Sequence, residues 1–354
     1  MINTLNSIIW LQTGFLGDIV ITTAAFRFVR ETYPHIKQFL ITTPIGAAAL
    51  KDHPHLDRIL VFDKRGKTLW SEAARLKKEL CGQNLGDVVM LQTHRSFRSS
   101  FLCRLIGLPT VTYFESQCGF LASKRVFRVA VLHEAQRILL LLEALGVYRG
   151  AFAEAKPYLA PHQSGAIFDL LKEFGEGRTL VAMAPGSVWG TKRWPSDYYG
   201  ALAKELLACT EVALVVIGSK DEISAAQELE VLADDPQRVL NLAGKTNLDD
   251  LRAIFPQVSL LISNDSSPLH YASAFRIPTL AIFGATVPAL GFGPLAPRRG
   301  IAEISLECRP CSAHGPQLCP LGHFRCMLDQ KPIHIADRLL KDFGDVLRYP
   351  VVDR

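Results

Sequence analysis

Ser7-Ile8-Ile9-Trp10-Leu11-Gln12, followed by Thr13-Gly14-Phe15-Leu16-Gly17-Asp18, decides the fold class. The short run with an uninterrupted apolar middle reads as a strand buried on both faces, since a half-exposed strand would alternate. A glycine-bearing turn ends it. Asp18 then opens an apolar-striped helix that runs to about Glu31 and stops at Tyr33-Pro34. Outward from this stretch the period repeats. Phe39 to Thr42, Arg58 to Phe62 and Asp87 to Leu91 read as strands, with a helix over Leu69 to Leu80. Such alternation predicts a parallel sheet covered by helices on both faces.

The pattern restarts after the polar stretch from Lys156-Pro157 to Gly165. Leu180 to Met183 reads as a strand, Ala184-Pro185-Gly186-Ser187 as its turn and Pro195 to Leu207 as a helix. Val212 to Ile217 follows as a strand, then the turn Gly218-Ser219-Lys220 and a helix to about Leu232. Leu260 to Ser263 and Thr279 to Phe283 are later strands of the same kind. Two doubly wound α/β domains are predicted, over residues 1–160 and 166–330. The 354 residues suit two domains of about 150 each. Ligands of such sheets sit beyond the carboxyl ends of the strands, so the turns carry the functional candidates.

At 49% hydrophobic and 21% charged residues, the composition excludes a disordered or fibrous chain. The net charge of +5 is too mild for a nucleic-acid binder, but it is unevenly spread. Lys and Arg against Asp and Glu number eleven to eight over 1–93, seven to two over 94–137, and twenty-one to twenty-four thereafter. The apolar runs Ile8 to Leu11 and Leu139 to Leu142 are far short of the ~20 residues of a spanning helix, and the first lacks a basic leader. A cytosolic location is expected.

The turn Thr13 to Asp18 has G-x-x-G rather than G-x-G-x-x-G, which argues against a dinucleotide-dependent oxidoreductase. Asp18 suits a helix cap, and equally a base taking the proton of an attacking hydroxyl. Ser187-Val188-Trp189-Gly190-Thr191-Lys192-Arg193-Trp194-Pro195 places two cations just before a helix, a pattern that favours phosphate over a merely solvated loop. Asn264-Asp265-Ser266-Ser267-Pro268-Leu269-His270 offers hydroxyls and amides at a second helix start. Gly284-Ala285-Thr286-Val287-Pro288 adds a small-residue turn. Asp221-Glu222 reads either as a ribose-binding acid or as a helix-start charge. Asp234-Asp235 and Asp249-Asp250 read as solvated turns or helix starts, and no D-x-D occurs.

Cys308-Arg309-Pro310-Cys311, Cys319 and Cys326 fall within nineteen residues, while Cys81, Cys103, Cys118 and Cys209 are scattered. With His314 and His323 the cluster has enough ligands for zinc, but its second half lacks the short spacing of a zinc knuckle. A reduced structural loop is the default reading, with neither metal nor cofactor expected.

Taken together, Gly17-Asp18, Pro185-Gly186-Ser187, Lys192 to Pro195, Ile217-Gly218, Asn264 to His270 and Phe283-Gly284 resemble the ADP-heptose:lipopolysaccharide heptosyltransferases. The motifs stand in family order from about residue 7 to 345. The segment from Cys308 to Cys326-Met327 resembles the second-heptose enzyme more than the first. Val188 stands where some members carry a second hydroxyl residue beside that of Ser187.

The resemblance implies a GT-B fold of two Rossmann-like domains facing across a cleft, with the acceptor on the first and the ADP-sugar on the second. A C-terminal helix over 333–347 would pack back on the first domain. It implies inverting, metal-independent transfer of heptose to the lipopolysaccharide inner core by a monomer at the cytoplasmic face of the inner membrane. Asp18 would be the base, with Gly17, Arg95 and Arg98 toward the acceptor. Ser187 and Lys192 would hold the diphosphate with Ser266 and Ser267 near it, Asp221 or Glu222 the ribose, and Asp265 the sugar hydroxyls beside His270. The basic residues Arg95, Arg98, Arg104, Lys124, Arg125, Arg128 and Arg137 would then face an anionic acceptor. The alternatives are another family member, a nucleotide-sugar epimerase and a non-catalytic nucleotide-sugar-binding protein.

Overall fold

Every residue of β1 (Ser7–Gln12) is buried, as its apolar run requires, and β1 lies in the middle of its sheet. The computed structural model describes residues 2–64, 66, 68–152 and 155–347. The backbone divides into two units, Met1–Ala160 and Pro161–Arg354.

In the first unit, β2 (Lys37–Thr42), β3 (Arg58–Val61), β4 (Val88–Gln92), β5 (Thr110–Tyr113) and β6 (Lys124–Val126) join β1 in the order β3-β2-β1-β4-β5-β6. All these pairings are parallel. The helices are α1 (Leu16–Thr32), α2 (Pro44–Ala49), α3 (Leu69–Cys81), α4 (Phe97–Ile106) and α5 (Glu134–Leu139). Alternate residues serve the two faces. Ile9, Leu11, Ile41 and Met90 pack with Leu76 and Leu80 of α3 and Leu102 and Ile106 of α4. On the other face Trp10 meets Phe26 of α1 at 5.4 Å between ring centroids, and its indole N–H donates to Gln38 Oε1 at 3.0 Å.

The second unit repeats the wiring with β7 (Thr179–Ala184), β8 (Val212–Val216), β9 (Val239–Asn241), β10 (Leu260–Asn264), β11 (Thr279–Ile282) and β12 (Arg299–Ala302). Their order is β12-β11-β10-β7-β8-β9, again parallel throughout. Its helices are α6 (Ala166–Phe174), α7 (Ser196–Cys209), α8 (Ile223–Ala233), α9 (Leu248–Ile254), α10 (Ser267–Phe275), α11 (Arg325–Leu328) and α12 (Pro332–Phe343). In both sheets the order turns back between the first and fourth strands, β1/β4 and β7/β10, and the crevice beyond that point is where such folds bind ligands.

The expected return of the C-terminal helix to the first unit is corrected by its packing. Ile335, Ala336, Leu339 and Phe343 recur at helical spacing, and this stripe is buried in the core of the second unit, where α12 lies on α7. Among the described residues, no helix is long and apolar enough to cross a membrane.

Candidate functional site

At the first switch point α1 starts directly after β1. The Asp18 carboxylate reaches back and accepts the Phe15 N–H at 3.1 Å, so the capping role read from the sequence is realised. Gly14 has no room for a side chain, since a Cβ would stand 2.9 Å from Asp18 Oδ2 and 3.0 Å from Gln12 Oε1. Gln12 fixes the turn by accepting the Gly14 N–H at 2.9 Å and donating to Thr22 Oγ1 at 3.0 Å. Gly17 is buried in the first turn of α1, and Asp18 is half-buried.

The end of β4 supplies the other side of this crevice. His94 Nδ1 lies 3.2 Å from Thr13 Oγ1, and Lys64 Nζ donates to the Thr13 carbonyl. Arg98 donates to the Lys64 carbonyl at 3.1 Å. Burial, and then the charges of Lys64 and Arg95, push the His94 imidazole down to about 4. His94 is therefore neutral at pH 7, while burial and then the Arg98 charge lower the Lys64 ammonium. Arg95 and Arg98 are exposed. The structure thus brings Asp18, Gly17, Arg95 and Arg98 to one sheet edge and adds Lys64 and His94, which no sequence motif marked.

At the second switch point the turns after β7 and β10 are tied together. Lys192 Nζ lies 2.6 Å from Asp265 Oδ2, and that oxygen also accepts the Thr286 hydroxyl at 2.7 Å. Asn264 holds the backbone of both turns. Its amide donates to the Pro185 carbonyl at 2.8 Å, and its Oδ1 accepts the Trp194 N–H at 3.1 Å and the Tyr199 hydroxyl at 3.2 Å. Ser187 is buried, and its carbonyl accepts from Arg193 Nε at 2.6 Å. Ser266 is the N-cap of α10, yet its side chain makes no capping bond. Ser266 and Ser267 remain half-buried at this helix start. His270 is buried one turn further on, 6.4 Å from the Phe292 ring.

Asp221 and Glu222 separate. Asp221 is exposed, whereas Glu222 Oε2 accepts the Ser219 N–H at 2.7 Å and its hydroxyl at 2.9 Å. The Glu222 side chain crosses so close to Gly186 that a Cβ there would stand 2.0 Å from it. A side chain at Gly186 would therefore push Glu222 out of its place beside the end of β7.

The cysteine segment covers the turn after β7. Gln317 Oε1 accepts the Gly190 N–H at 3.0 Å, and Gln317 Nε2 donates to the Val188 carbonyl at 3.1 Å. Arg309, between the first two cysteines, donates to the carbonyls of Gly284, Ile304 and Thr286 and pairs with Glu303 at 2.8 Å, so it shapes the turn after β11. All eight cysteines are free thiols. Cys308 Sγ stands 3.9 Å from His323 Nε2. Among the described residues no group of three or more His, Cys, Asp or Glu side chains is arranged to hold a metal ion.

Residues 73–320 match the family described as glycosyltransferase family 9 (heptosyltransferase). The chain is 38% identical to the lipooligosaccharide heptosyltransferase 2 of Haemophilus ducreyi over 295 residues, which is 80% of this chain and 84% of that one. It is 24% identical to the Campylobacter jejuni enzyme of the same name over 333 residues, 92% and 96% of the two chains. The solved Escherichia coli ADP-heptose LPS heptosyltransferase II has a TM-score of 0.74 at 19% identity, covering 97% of this chain and 98% of that one. The fold is therefore the GT-B fold of those structures.

Proposed function

The chain belongs to glycosyltransferase family 9, the heptosyltransferases, and from that premise we propose that it moves a heptose from ADP-heptose to the lipopolysaccharide inner core, at the second heptose position. The observation that carries the reading is the meeting of Lys192 and Asp265 across the second switch point, beside Ser187, Ser266 and Ser267. A cation, a buried hydroxyl and the amides at the start of α10 are what a sugar diphosphate needs there.

In this reading the second unit holds the donor. Lys192 takes the charge that develops on the leaving ADP, with Ser187, Ser266 and Ser267 around the diphosphate, so departure proceeds without a metal. Glu222 is better placed than Asp221 for the ribose, because it lies over Gly186 at the strand ends. Asp265 binds sugar hydroxyls, with His270 behind it.

The first unit holds the acceptor. Asp18 removes the proton of the acceptor hydroxyl as that oxygen attacks the anomeric carbon from the side opposite ADP, which inverts the configuration. Gly17 lets the acceptor approach α1, and Arg95 and Arg98 meet its anionic groups. The enzyme acts as a monomer at the cytoplasmic face of the inner membrane.

The test is transfer from ADP-heptose to purified acceptors bearing no heptose or one. Transfer only to the one-heptose acceptor, undiminished by a chelator, is expected. Transfer to the heptose-free acceptor would move the chain to the first-heptose reaction. Conversion of ADP-heptose without acceptor would make it an epimerase, and binding without turnover would leave a non-catalytic protein.

A further inference from the structure

The first unit carries a face that the proposed reaction does not use. Phe114, Phe120, Phe127 and Val131, around β5 and β6, are 42%, 71%, 68% and 89% exposed. Three phenylalanines and a valine this open to water within eighteen residues are not the isolated apolar side chains of an ordinary surface.

Phe114 and Phe127 are held against each other. Phe114 and Phe127 stack with centroids 4.3 Å apart, and the Arg125 guanidinium lies 4.5 Å from the Phe114 ring centroid. The Phe114 N–H donates to the Val126 carbonyl at 3.0 Å, which keeps the two rings in register at the end of the sheet edge. The start of α4 carries another exposed phenylalanine. Phe97 packs on Phe101 at 4.3 Å, and its N–H donates to Gln117 Oε1 at 2.9 Å. Ser100 Oγ donates to the Gln117 carbonyl at 2.5 Å, so the loop carrying Phe120 is fastened to α4. Arg125 stands exposed over these rings, while Lys124, also exposed, turns its ammonium to the Ala144 carbonyl at 3.2 Å; both lie in the stretch with seven basic and two acidic residues.

We propose that this aromatic and basic face docks the first unit onto an anionic phospholipid bilayer. Charge complementarity selects the occupant. Rings enter the boundary of headgroups and acyl chains while neighbouring cations stay at the phosphates, and each cation near an anionic surface adds to binding. The excess of seven basic over two acidic residues across 94–137, with Arg95, Arg98, Arg104, Lys124 and Arg125 all exposed, matches an anionic headgroup layer. The proposal deepens the reaction reading, which already places the acceptor in a membrane, but it is tested without donor or acceptor.

The full chain is mixed with vesicles of phosphatidylcholine alone or with phosphatidylglycerol, and pelleted. The wild type should pellet with the anionic vesicles and remain in solution with the neutral ones. The pair Phe120→Glu and Phe127→Glu, and separately Arg125→Glu, should each lower the partition coefficient about tenfold. Circular dichroism and ADP affinity should stay at wild-type values. Equal partition onto both vesicle types, or variants that pellet like the wild type, overturns the proposal. So does a wild-type dimer in solution that the same variants dissociate. Transfer to a deacylated, water-soluble acceptor should be unchanged in the Phe120→Glu, Phe127→Glu variant and slowed only when the acceptor sits in vesicles. If the wild type transfers nothing, the reaction reading fails while the vesicle result still decides the docking surface.

Discussion

Lys192 Nζ stands 2.6 Å from Asp265 Oδ2, with the two side chains 12% and 6% exposed. This bond links the turns after β7 and β10. It neutralises a nearly buried carboxylate before any ligand arrives, and Thr286 adds a hydroxyl to the same oxygen. In the proposed reaction, a diphosphate entering here would find a cation already oriented and would need only to share it.

Lys192→Ala should therefore have two separable effects. It removes a phosphate contact, lowering ADP affinity by about tenfold or more. It also takes from the nearly buried Asp265 its cationic partner and leaves the Thr286 hydroxyl on that oxygen, which destabilises the fold by about 2 kcal/mol. Adding Asp265→Asn should restore stability in a denaturant titration without restoring ADP binding. Calorimetry showing unchanged ADP affinity in the single variant would remove Lys192 from the donor site.

Asp18→Asn keeps an acceptor for the Phe15 N–H and should fold as the wild type does. Its transfer rate should drop about 10²–10⁴-fold, with ADP affinity retained. Asp18→Ala loses the cap as well, at about 1 kcal/mol. Normal single-turnover rates in Asp18→Asn would take this residue out of the chemistry.

His94 makes stability depend on acid. Its imidazole titrates at about 4 in the folded chain against 6.5 in the unfolded one. Between those values the unfolded chain binds a proton that the folded chain refuses. Stability present above pH 6.5 should thus decline as pH falls toward 4, by about 2 kcal/mol from this group. His94→Gln should flatten that part of the profile in urea unfolding at matched pH values.

Gly190→Ala tests the covering segment. A Cβ there would stand 2.3 Å from the Gln317 carbonyl oxygen, a backbone atom with no rotamer to escape into. The segment must shift, at about 1–3 kcal/mol. Limited proteolysis around residues 312–322 should quicken, and ADP binding should weaken as Val188 loses its bond to Gln317.

Arg95→Glu with Arg98→Glu should raise the acceptor KM and leave the donor KM alone, with the difference shrinking at high salt. Equal effects on both substrates would remove these arginines from acceptor binding.

Much of this was legible in the sequence because parallel sheets write their central strands as apolar runs. β1, β2, β7, β8 and β10 stand where those runs predict them. The short strands β5, β6, β9 and β12 were not marked, because they lack the apolar run that the equally short β3 and β11 carry. Position in the sheet, not hydrophobic pattern, makes them strands. The C-terminal helix was placed on the wrong unit because an amphipathic stripe says that a face is buried, not against what. Asp265 and Lys192 were legible as polar residues at helix starts. Lys64 and His94 were not, since a lone Lys and a lone His carry no spacing, and only the crossing of the chain near Thr13 gives them a place.

Asn264 has no proposed contact with donor or acceptor, yet it bonds to Pro185, Trp194 and Tyr199. An amide alone presents a donor and an acceptor on one short stem. Aspartate would turn its oxygen lone pairs toward the Pro185 carbonyl, and leucine would match the shape while silencing every bond. The geometry of the second switch point is thus written in a residue that an assay of chemistry would never implicate. Its loss would look like a weak enzyme and would in fact be a misassembled one.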